Sequence, residues 1–308
     1  MRLLNTRTLE LVDKQTVDEQ SVDEQFDVPK YAILSHRWTE EEVTFQDMKK
    51  SGQRSRQKSG WSKIKEFCRK ASKRGYEYAW VDTCCIDKTS SAEFAEAINS
   101  MFDWYRKADV CYVYLADYEH GAEPEEQLPF CEWFGRGWTL QELIAPDNVW
   151  FYDEEWTYIG SKDDLCDLIS RITSIPVPVL RGQEPHSDYS VAQRMSWAAY
   201  RETTRVEDTA YCLLGLFGIN MPLLYGEREK AFFRLQQEIL KSIYDQTIFA
   251  WDPAESRVFD TSILAGSPRN FKHSSQILTP DGTLAKTSRE WVRDVTISVT
   301  ERTRLIRR

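Results

Sequence analysis

The sequence has few of the residues that build metal centres and disulfide frameworks. Its 308 residues include only four histidines, and its seven cysteines contain no Cys-x-x-Cys pair. A structural zinc site is therefore not expected, because such sites use closely spaced cysteine and histidine ligands. Most of the cysteines lie inside apolar patterns, as free buried thiols do. We expect a chain without a metal that resides in the reducing cytoplasm.

Positive charge, long apolar runs and phosphate-binding glycine loops are scarce as well. The formal net charge of −9 argues against general binding of nucleic acid. No apolar run approaches the ~18 residues of a membrane-spanning helix, and the N-terminus lacks the pattern of a secretory signal. Neither a P-loop nor a G-x-G-x-x-G motif is present, so the sequence gives no support to kinase or dehydrogenase phosphate chemistry.

Aromatic residues are abundant instead. The chain has 11 Trp, 14 Tyr and 14 Phe, which can fill a large core and can also line ligand clefts and interfaces. A hydrophobic content of 41% and a charged content of 29% are typical of a globular protein. The length allows one large domain, or a domain with an appended subdomain.

The chain up to residue 152 alternates between compact apolar runs and helical patterns. A short strand is predicted over residues 1–12, and buried strands are predicted at 31–35, 78–82, 110–115 and 148–152. Helical spacing between the buried strands indicates a parallel sheet covered by helices, with right-handed crossovers. A capping-box pattern at residues 190–193 predicts a helix start.

This change of pattern divides the chain into three parts. We predict an α/β core over residues 1–159, a helical part over 160–250 and a mixed part over 251–308, with a strand at 294–299. The sequence stops without a clear domain end, so we expect it to be the N-terminal part of a longer protein.

Polar and aromatic residues follow the first two buried strands, at 31–35 and 78–82. In parallel α/β sheets the carboxyl ends of the strands carry the site, so we expect these residues to converge. Arg37 can bind phosphates bidentately, or it can pair with the acidic run at residues 40–42 or with Asp82. Asp82 itself can orient a ribose hydroxyl or Arg37, or it can cap the next loop. The candidates are Ser35, His36, Arg37, Trp38, Asp82 and Asp87.

The segment 134–146 carries a third candidate feature. A helix over about residues 137–145 would place its leucines on one side and Trp138 and Glu142 one turn apart on another. An aromatic beside a carboxylate suits a face that closes over a ligand. Two other interpretations of Glu142 are open, namely plain solvation and a capping box in which it binds the backbone N–H of Thr139.

Adjacent cysteines near a strand end offer one more alternative. Cys84 or Cys85 could serve as a thiol nucleophile close to His36. The sequence shows no activating helix N-terminus and no third orienting group, so a buried small apolar side chain is the better interpretation.

Four ordered motifs together resemble the fungal HET (heterokaryon incompatibility) domain. They are Tyr-Ala-Ile-Leu-Ser-His-Arg-Trp at 31–38, Trp-Val-Asp-Thr-Cys-Cys-Ile-Asp at 80–87, Arg-Gly-Trp-Thr-Leu-Gln-Glu-Leu at 136–143 and Arg-Val-Glu-Asp-Thr-Ala-Tyr-Cys-Leu-Leu-Gly-Leu-Phe-Gly-Ile at 205–219. The last motif, with Met-Pro-Leu-Leu-Tyr-Gly-Glu at 221–227, resembles the region that follows the core in HET proteins of the vegetative-incompatibility group. The resemblance covers roughly residues 1–250.

HET domains are thought to be distant relatives of TIR domains. The run from Tyr31 to Arg37 is similar to the first-strand motif of TIR domains, and Trp138-x-x-x-Glu142-Leu143 looks like their Trp-Cys-x-x-Glu-Leu helix. The resemblance implies a TIR-like (flavodoxin-like) parallel sheet flanked by helices, with a mostly helical C-terminal extension. Thr139 stands where TIR domains usually have Cys, and no counterpart of their BB loop is evident.

The resemblance also implies a function. In the TIR domains that cleave NAD+, the glutamate of that helix is catalytic, and its counterpart here is Glu142. The chain would then be a cytoplasmic effector of heterokaryon incompatibility and regulated cell death, part of fungal innate immunity. It would consume NAD+ as a substrate, without a metal or redox cofactor, through an oxocarbenium-like state. The expected substrate-binding residues are Ser35, His36 and Arg37 at the phosphates, Asp82 at the ribose or at Arg37, Trp138 on a ring, and Trp38 and Asp87 nearby.

The resemblance leaves two modes of action open. TIR-like activity often needs self-association, so a homo-oligomer and an upstream receptor protein are the expected partners. In the alternative, the domain is a non-catalytic module that assembles with itself or a partner, and the face of Trp138 and Glu142 is an interface.

Overall fold

A computed structural model describes residues 1–13, 29–49, 57–253 and 263–278. The described chain forms two compact units, one made of Met1–Phe134 and Gln141–Leu168, the other of Gly135–Leu140 and the residues after Leu168. The strand predicted at 294–299 lies outside the described residues, and the three-part division of the sequence stays a prediction. In the described part of the chain, no helix is both long and apolar enough to cross a bilayer.

A seven-stranded mixed sheet forms the centre of the first unit. Its strands are β1 (Leu3–Asn5), β2 (Leu11–Val12), β3 (Tyr31–His36), β4 (Tyr78–Trp80), β5 (Val110–Tyr114), β6 (Val149–Tyr152) and β7 (Tyr158–Ser161). The order across the sheet is β2-β1-β4-β3-β5-β6-β7. The inner strands β4, β3, β5 and β6 run parallel, as the alternating pattern predicts.

The outer strands correct the prediction of an all-parallel sheet. β1 pairs antiparallel with both β2 and β4, and β7 pairs antiparallel with β6. Parallel neighbouring strands need a crossover connection of about a dozen residues or more. The connections from β1 to β2 and from β6 to β7 are too short for such a crossover. The segment predicted as one strand over residues 1–12 is therefore a hairpin. The side chain of Asn5 makes its turn by accepting hydrogen bonds from the backbone N–H groups of Arg7 and Thr8, both at 3.0 Å.

The inner strands are buried on both faces, which explains their continuous apolar sequences. Every residue of β3 is buried, and Ala32 of β3 lies between Ala79 of β4 and Val110 of β5. Strands covered on both sides read as unbroken apolar runs and not as alternating ones. The polar residues at the end of β3 therefore lie in a buried setting.

Six α-helices that precede residue 145 belong wholly or partly to the described part of the first unit. They are α1 (Phe45–Lys49), α2 (Gly60–Lys73), α3 (Asp82–Cys85), α4 (Ser91–Lys107), α5 (Pro124–Gln127) and α6 (Thr139–Ile144). Ser90 caps α4 by accepting a hydrogen bond from the N–H of Glu93. Helix α6 is shorter than the predicted span of 137–145, and its first two residues belong to the second unit.

Helices and turns make up the described part of the second unit. They are α7 (Cys166–Thr173, shared with the first unit), α8 (Val177–Leu180), α9 (Val191–Ser196), α10 (Asp208–Tyr211), α11 (Leu214–Phe217) and α12 (Lys230–Ser242). The capping box predicted at residues 190–193 is present, with Ser190 and Gln193 binding each other's backbone N–H groups. After α11 the backbone turns at Gly218, which has a left-handed φ of 64°.

Candidate functional site

Glu142 lies inside the first unit, bound to the end of β3. Its carboxylate accepts a short hydrogen bond from the hydroxyl of Ser35, and Ser35 Oγ in turn accepts the indole N–H of Trp133 at 2.8 Å. Only 8% of Glu142 is exposed and Ser35 is fully buried, so the solvated interpretation of Glu142 is wrong. The two linked hydrogen bonds, from Trp133 to Ser35 and from Ser35 to Glu142, fix the orientation of the carboxylate.

Uncharged buried groups surround this carboxylate. The hydroxyl of Tyr105 donates to the carbonyl of Leu34 at 3.2 Å. Burial first, and the negative charge of Glu142 second, raise the pKa of Tyr105 and of the Cys111 thiol well above their usual values. Both groups are therefore neutral near pH 7. A carboxylate in such low-dielectric surroundings acts strongly on any positive charge that develops beside it.

His36 belongs to a buried charged cluster with Glu42 and Lys63. The Lys63 ammonium donates to Glu42 Oε1 at 2.6 Å, and His36 Nε2 lies 3.6 Å from Glu42 Oε2. Burial and then Lys63 lower the pKa of His36, so its imidazole is neutral at pH 7. Burial alone would raise the pKa of Glu42, but the Lys63 ammonium that donates to it helps to hold that pKa well below its ordinary value. His36 therefore carries no positive charge that could attract a phosphate.

Arg37 is paired with an acid that the sequence does not indicate. Its guanidinium forms an ion pair with Glu132, and about half of each side chain is exposed. Neither the acidic run at 40–42 nor Asp82 is its partner in this pair. A phosphate would have to replace the Glu132 carboxylate on Arg37. This exchange requires little free energy, because exposed ion pairs contribute little to stability.

Trp38 and Asp82 come together as the convergence of strand ends predicts. The indole N–H of Trp38 donates to Asp82 Oδ2 at 2.9 Å, and 52% of Trp38 is exposed. The ammonium of Lys88 lies over the indole, 3.5 Å from the ring centroid. The end of β3 and the start of α3 therefore hold an exposed aromatic ring beside one cation and one carboxylate.

Asp87 organises the turn before α4. Its Oδ1 accepts hydrogen bonds from the hydroxyl of Thr89 at 2.6 Å, from the N–H of Thr89 at 3.0 Å and from the amide of Gln46 at 2.7 Å. The Thr89 hydroxyl is the main reason why the pKa of Asp87 is lowered. These bonds are those of a side chain that caps a loop.

Trp138 belongs to the second unit, where it contacts the motif at 205–219. Its indole N–H donates to Asp208 Oδ2 at 3.3 Å, and the hydroxyl of Tyr225 donates to Asp208 Oδ1 at 2.9 Å. Burial raises the pKa of Asp208 against the effect of these two donors. The glutamate before it, Glu207, accepts the N–H of Gly226 at 2.7 Å. This motif therefore fastens the loop around residue 225.

Cys84 of the α3 turn does not form a reactive thiol. All seven cysteines of the chain are free and buried. A hydrogen bond with Cys85, and then burial, raise the pKa of Cys84 well above its usual value. A thiol of this kind stays protonated at neutral pH, and protonated thiols are poor nucleophiles.

Several residues of the site cannot be recognised in the sequence. Lys63 lies on the buried face of α2 beside Ile64. This position is the sequence feature that could have indicated that Lys63 is buried. Glu42 resembles the exposed acids beside it. Trp133, Tyr105 and Lys88 carry no motif of their own in the sequence.

The comparisons with known proteins agree with the motifs. Residues 31–129 match the family model described as Heterokaryon incompatibility protein (HET), a span that begins at β3 and includes all the candidates up to Asp87. Over 224 residues, 70% of this chain, the sequence is 49% identical to the Vegetative incompatibility protein HET-E-1 of Podospora anserina. The chain is a HET-domain protein.

The comparisons also limit what can be concluded from membership of this family. The HET-domain protein spans only 16% of the length of that relative. Residues 230–308 match a second model, Domain of unknown function (DUF8212). No solved structure matches the chain, so the TIR-like assignment stays a prediction.

Proposed function

We propose that this HET-domain protein is the effector part of a vegetative, or heterokaryon, incompatibility system. It triggers regulated cell death in the cytoplasm by hydrolysing NAD+ to nicotinamide and ADP-ribose. The relative with 49% identity, named a vegetative incompatibility protein, supports the biological part of the proposal. The chemistry rests on the site in the first unit.

The observation that carries the chemistry is the buried carboxylate of Glu142 at the carboxyl end of a parallel sheet. Ser35 and Trp133 orient this carboxylate through two linked hydrogen bonds, and only 8% of Glu142 is exposed. In parallel sheets this edge is where ligands bind. A preorganised carboxylate is suited to stabilise the positive charge of an oxocarbenium-like ribose.

The reaction needs no redox step. The bond between C1′ of the ribose and the nicotinamide nitrogen breaks, and nicotinamide leaves as a neutral molecule with the bonding electrons. The charge that develops on the ribose is opposed by the negative charge of Glu142. Water then adds to C1′ and loses a proton, which gives ADP-ribose. NAD+ is therefore a substrate and not a cofactor.

The other candidates take roles around this centre. Arg37 binds the phosphates after it exchanges Glu132 for them, and neutral His36 adds no positive charge there. Asp82 and Trp38 act further out. Asp87 supports the site indirectly, because its bonds fasten the loop between α3 and α4.

Self-association and activation by an upstream receptor complete the proposal. The matched region covers only 16% of that relative's length, so the relative has room for other parts, and we infer that such parts sense the trigger. A homo-oligomer would raise the local concentration of domains, so activity would increase more than linearly with protein concentration.

The test is nicotinamide release from NAD+ by the purified chain, at several protein concentrations up to the highest attainable. Glu142→Gln keeps the size of the side chain and removes its charge, and we expect it to lower kcat by about 10²-fold or more. Circular dichroism and the melting temperature report whether the variant folds. If Glu142→Gln stays active and loses only about 1 kcal/mol of stability, Glu142 is a helix cap and the proposal fails.

A non-catalytic assembly module is the second candidate. One observation favours it: the Glu142 carboxylate already has a partner in Ser35, as a purely structural residue would. Phe130, which is 81% exposed, offers an aromatic of the kind that interfaces bury. In that case nicotinamide is not released at any concentration, and Phe130→Asp blocks both self-association and cell killing.

A further inference from the structure

We infer that Trp38 and Lys88 form the subsite for the adenine–diphosphate half of the dinucleotide. The inference rests on the proposed use of NAD+, and it adds which end of the substrate lies where. Lys88 carries no motif in the sequence. We assign it to this subsite because its ammonium lies over the Trp38 ring.

The indole of Trp38 is held as a rigid platform on the surface of the first unit. Its N–H is bound to Asp82 at 2.9 Å, and the Lys88 ammonium lies 3.5 Å from the ring centroid. About half of the side chain remains exposed. An exposed aromatic ring whose orientation is already fixed loses little freedom when a flat ligand stacks on it.

The charge of Lys88 decides which ring of the dinucleotide stacks there. The nicotinamide ring of NAD+ is a pyridinium with a positive charge, whereas adenine is neutral. An indole face attracts one cation, and Lys88 already occupies that position. A second cation on the same indole would be repelled by the first. Adenine meets no such repulsion, so the platform favours the adenine end.

Lys88 also supplies a charge for the phosphates. Within the residues that the structure describes, no carboxylate lies within ion-pair distance of its ammonium, which instead contacts the ring of Trp38. A diphosphate beside a stacked adenine would gain this positive charge without first displacing a protein carboxylate. In this respect Lys88 differs from Arg37, which is paired with Glu132.

The order of the residues at the end of β3 matches the order of the groups in the dinucleotide. Ser35 holds Glu142, where the nicotinamide ribose reacts, and Trp38 follows three residues later. Three residues span at most about 10 Å of extended chain. Arg37 lies between the two in sequence. The ribose, the phosphates and the adenine would thus follow the same order as Ser35, Arg37 and Trp38.

The experiment measures binding, not hydrolysis, by calorimetric titration of the full chain with ADP and with nicotinamide mononucleotide. We expect Trp38→Ala to weaken ADP binding by about tenfold or more, as the loss of one base–aromatic stack predicts, and to leave nicotinamide mononucleotide unaffected. Lys88→Met should weaken ADP binding severalfold. Tyr158→Ala is the matched control, because Tyr158 is a similarly exposed aromatic (47%) on β7.

The outcomes separate this inference from the proposed function. It is overturned if ADP binds equally well to Trp38→Ala, if ADP does not bind to the unmodified protein, or if nicotinamide mononucleotide loses as much affinity as ADP. Trp38→Phe keeps a ring and retains most of the affinity if stacking is the cause, which guards against a folding defect in Trp38→Ala. If ADP binding depends on Trp38 but no nicotinamide is released from NAD+, the subsite stands and hydrolysis fails. If nicotinamide is released but Trp38→Ala binds ADP as tightly as the unmodified protein does, hydrolysis stands and the subsite fails.

Discussion

The hydroxyl of Ser35 donates a hydrogen bond to the carboxylate of Glu142, which lies 107 positions further along the chain. It is one of four such contacts at the end of β3. His36 contacts Glu42, Arg37 pairs with Glu132, and Trp38 donates to Asp82. Four consecutive residues therefore contact four carboxylates, each from a different part of the sequence.

This arrangement gives the four positions different roles. The contacts of Ser35 and His36 are buried, so a bound ligand would not displace them. The ion pair of Arg37 is exposed and can exchange at low cost in free energy, and about half of the Trp38 side chain is open to a ligand. The inner pair is suited to fix geometry, and the outer pair is suited to bind and release a ligand.

Ser35→Ala tests whether the orientation of Glu142 matters for the reaction. The change removes a buried hydroxyl that both donates to Glu142 and accepts from the indole N–H of Trp133, and we expect the loss of these hydrogen bonds to cost about 1–3 kcal/mol of stability. We expect kcat for NAD+ hydrolysis to fall about tenfold or more, with KM little changed, since the interaction acts on the charge formed in the transition state.

The control for Ser35→Ala is Ser196→Ala, which removes another buried serine hydroxyl, bound to the carbonyl of Gln193 at 2.7 Å. It should lower the melting temperature without changing kcat. Equal kcat values for the two variants would mean that Ser35 has only a structural role.

Glu132→Gln tests the exchange of carboxylate for phosphate on Arg37. Because the ion pair is about half exposed on both sides, its loss should change stability by less than about 1 kcal/mol. The freed guanidinium should lower KM for NAD+ severalfold, and the gain should shrink at high salt. Steady-state kinetics at two ionic strengths measure both effects.

Glu126→Gln is the matched control for that prediction, because Glu126 is an exposed acid in the same segment and has no part in the Arg37 pair. A rise in KM for Glu132→Gln would show that Glu132 assists binding. An identical fall in the control would show that only net charge matters.

The sequence predicts the features of this site that follow from burial and periodicity. Unbroken apolar runs locate the inner strands, and the rule that sites lie at strand ends is enough to predict that Trp38 and Asp82 lie close together. A capping pattern locates the start of α9 through Ser190. These features depend on residues close together in the sequence.

The remaining contacts depend on how distant segments meet, and the sequence does not show this. Glu132 lies in a short 3-10 helix, Glu132–Gly135, whose path sets its distance from Arg37. Lys63 and Glu42 are charged residues that look exposed in sequence but are buried together. Strand β7 does not stand out in the sequence because Tyr-Ile-Gly-Ser is short and contains a glycine.

Lys162 predicts a pH dependence of stability in the first unit. Its buried ammonium donates to the carbonyls of Leu143 at 3.3 Å and Pro146 at 2.6 Å, at the end of the helix that carries Glu142. Burial lowers the pKa of Lys162 to about 8, against smaller opposing effects of Cys111, Asp147 and Asp163. Between this value and the ordinary 10.5, the unfolded chain binds more protons than the folded one.

Stability should therefore rise with pH across that window, because neutralising the buried amine removes the cost of its charge. The rise due to Lys162 is at most about 3 kcal/mol. Urea unfolding at several pH values between 7 and 11 measures it as the difference between the unmodified protein and Lys162→Met. Lys65→Met removes an exposed lysine from α2 and should give no such difference. A flat difference for Lys162→Met would contradict the prediction.

Gly137 is required by a close approach within the second unit, just before α6. Its N–H donates to the carbonyl of Glu202 at 2.8 Å, and an added Cβ would lie 2.5 Å from Cγ2 of Thr203 and 3.1 Å from Sγ of Cys212. Gly137→Ala should therefore destabilise the protein by about 1–3 kcal/mol, as overpacking does. Thermal and urea unfolding measure the loss.

Two further variants show whether that clash is the cause. Gly135→Ala, two residues earlier, places its Cβ where no atom of the described residues lies within 4 Å, so it should leave the unfolding free energy nearly unchanged. Thr203→Ser removes the methyl group that the new Cβ of Gly137→Ala would meet, so the double variant should recover part of the lost stability. If the double variant is as unstable as the sum of its single changes, the contact with Thr203 is not what restricts position 137 to glycine.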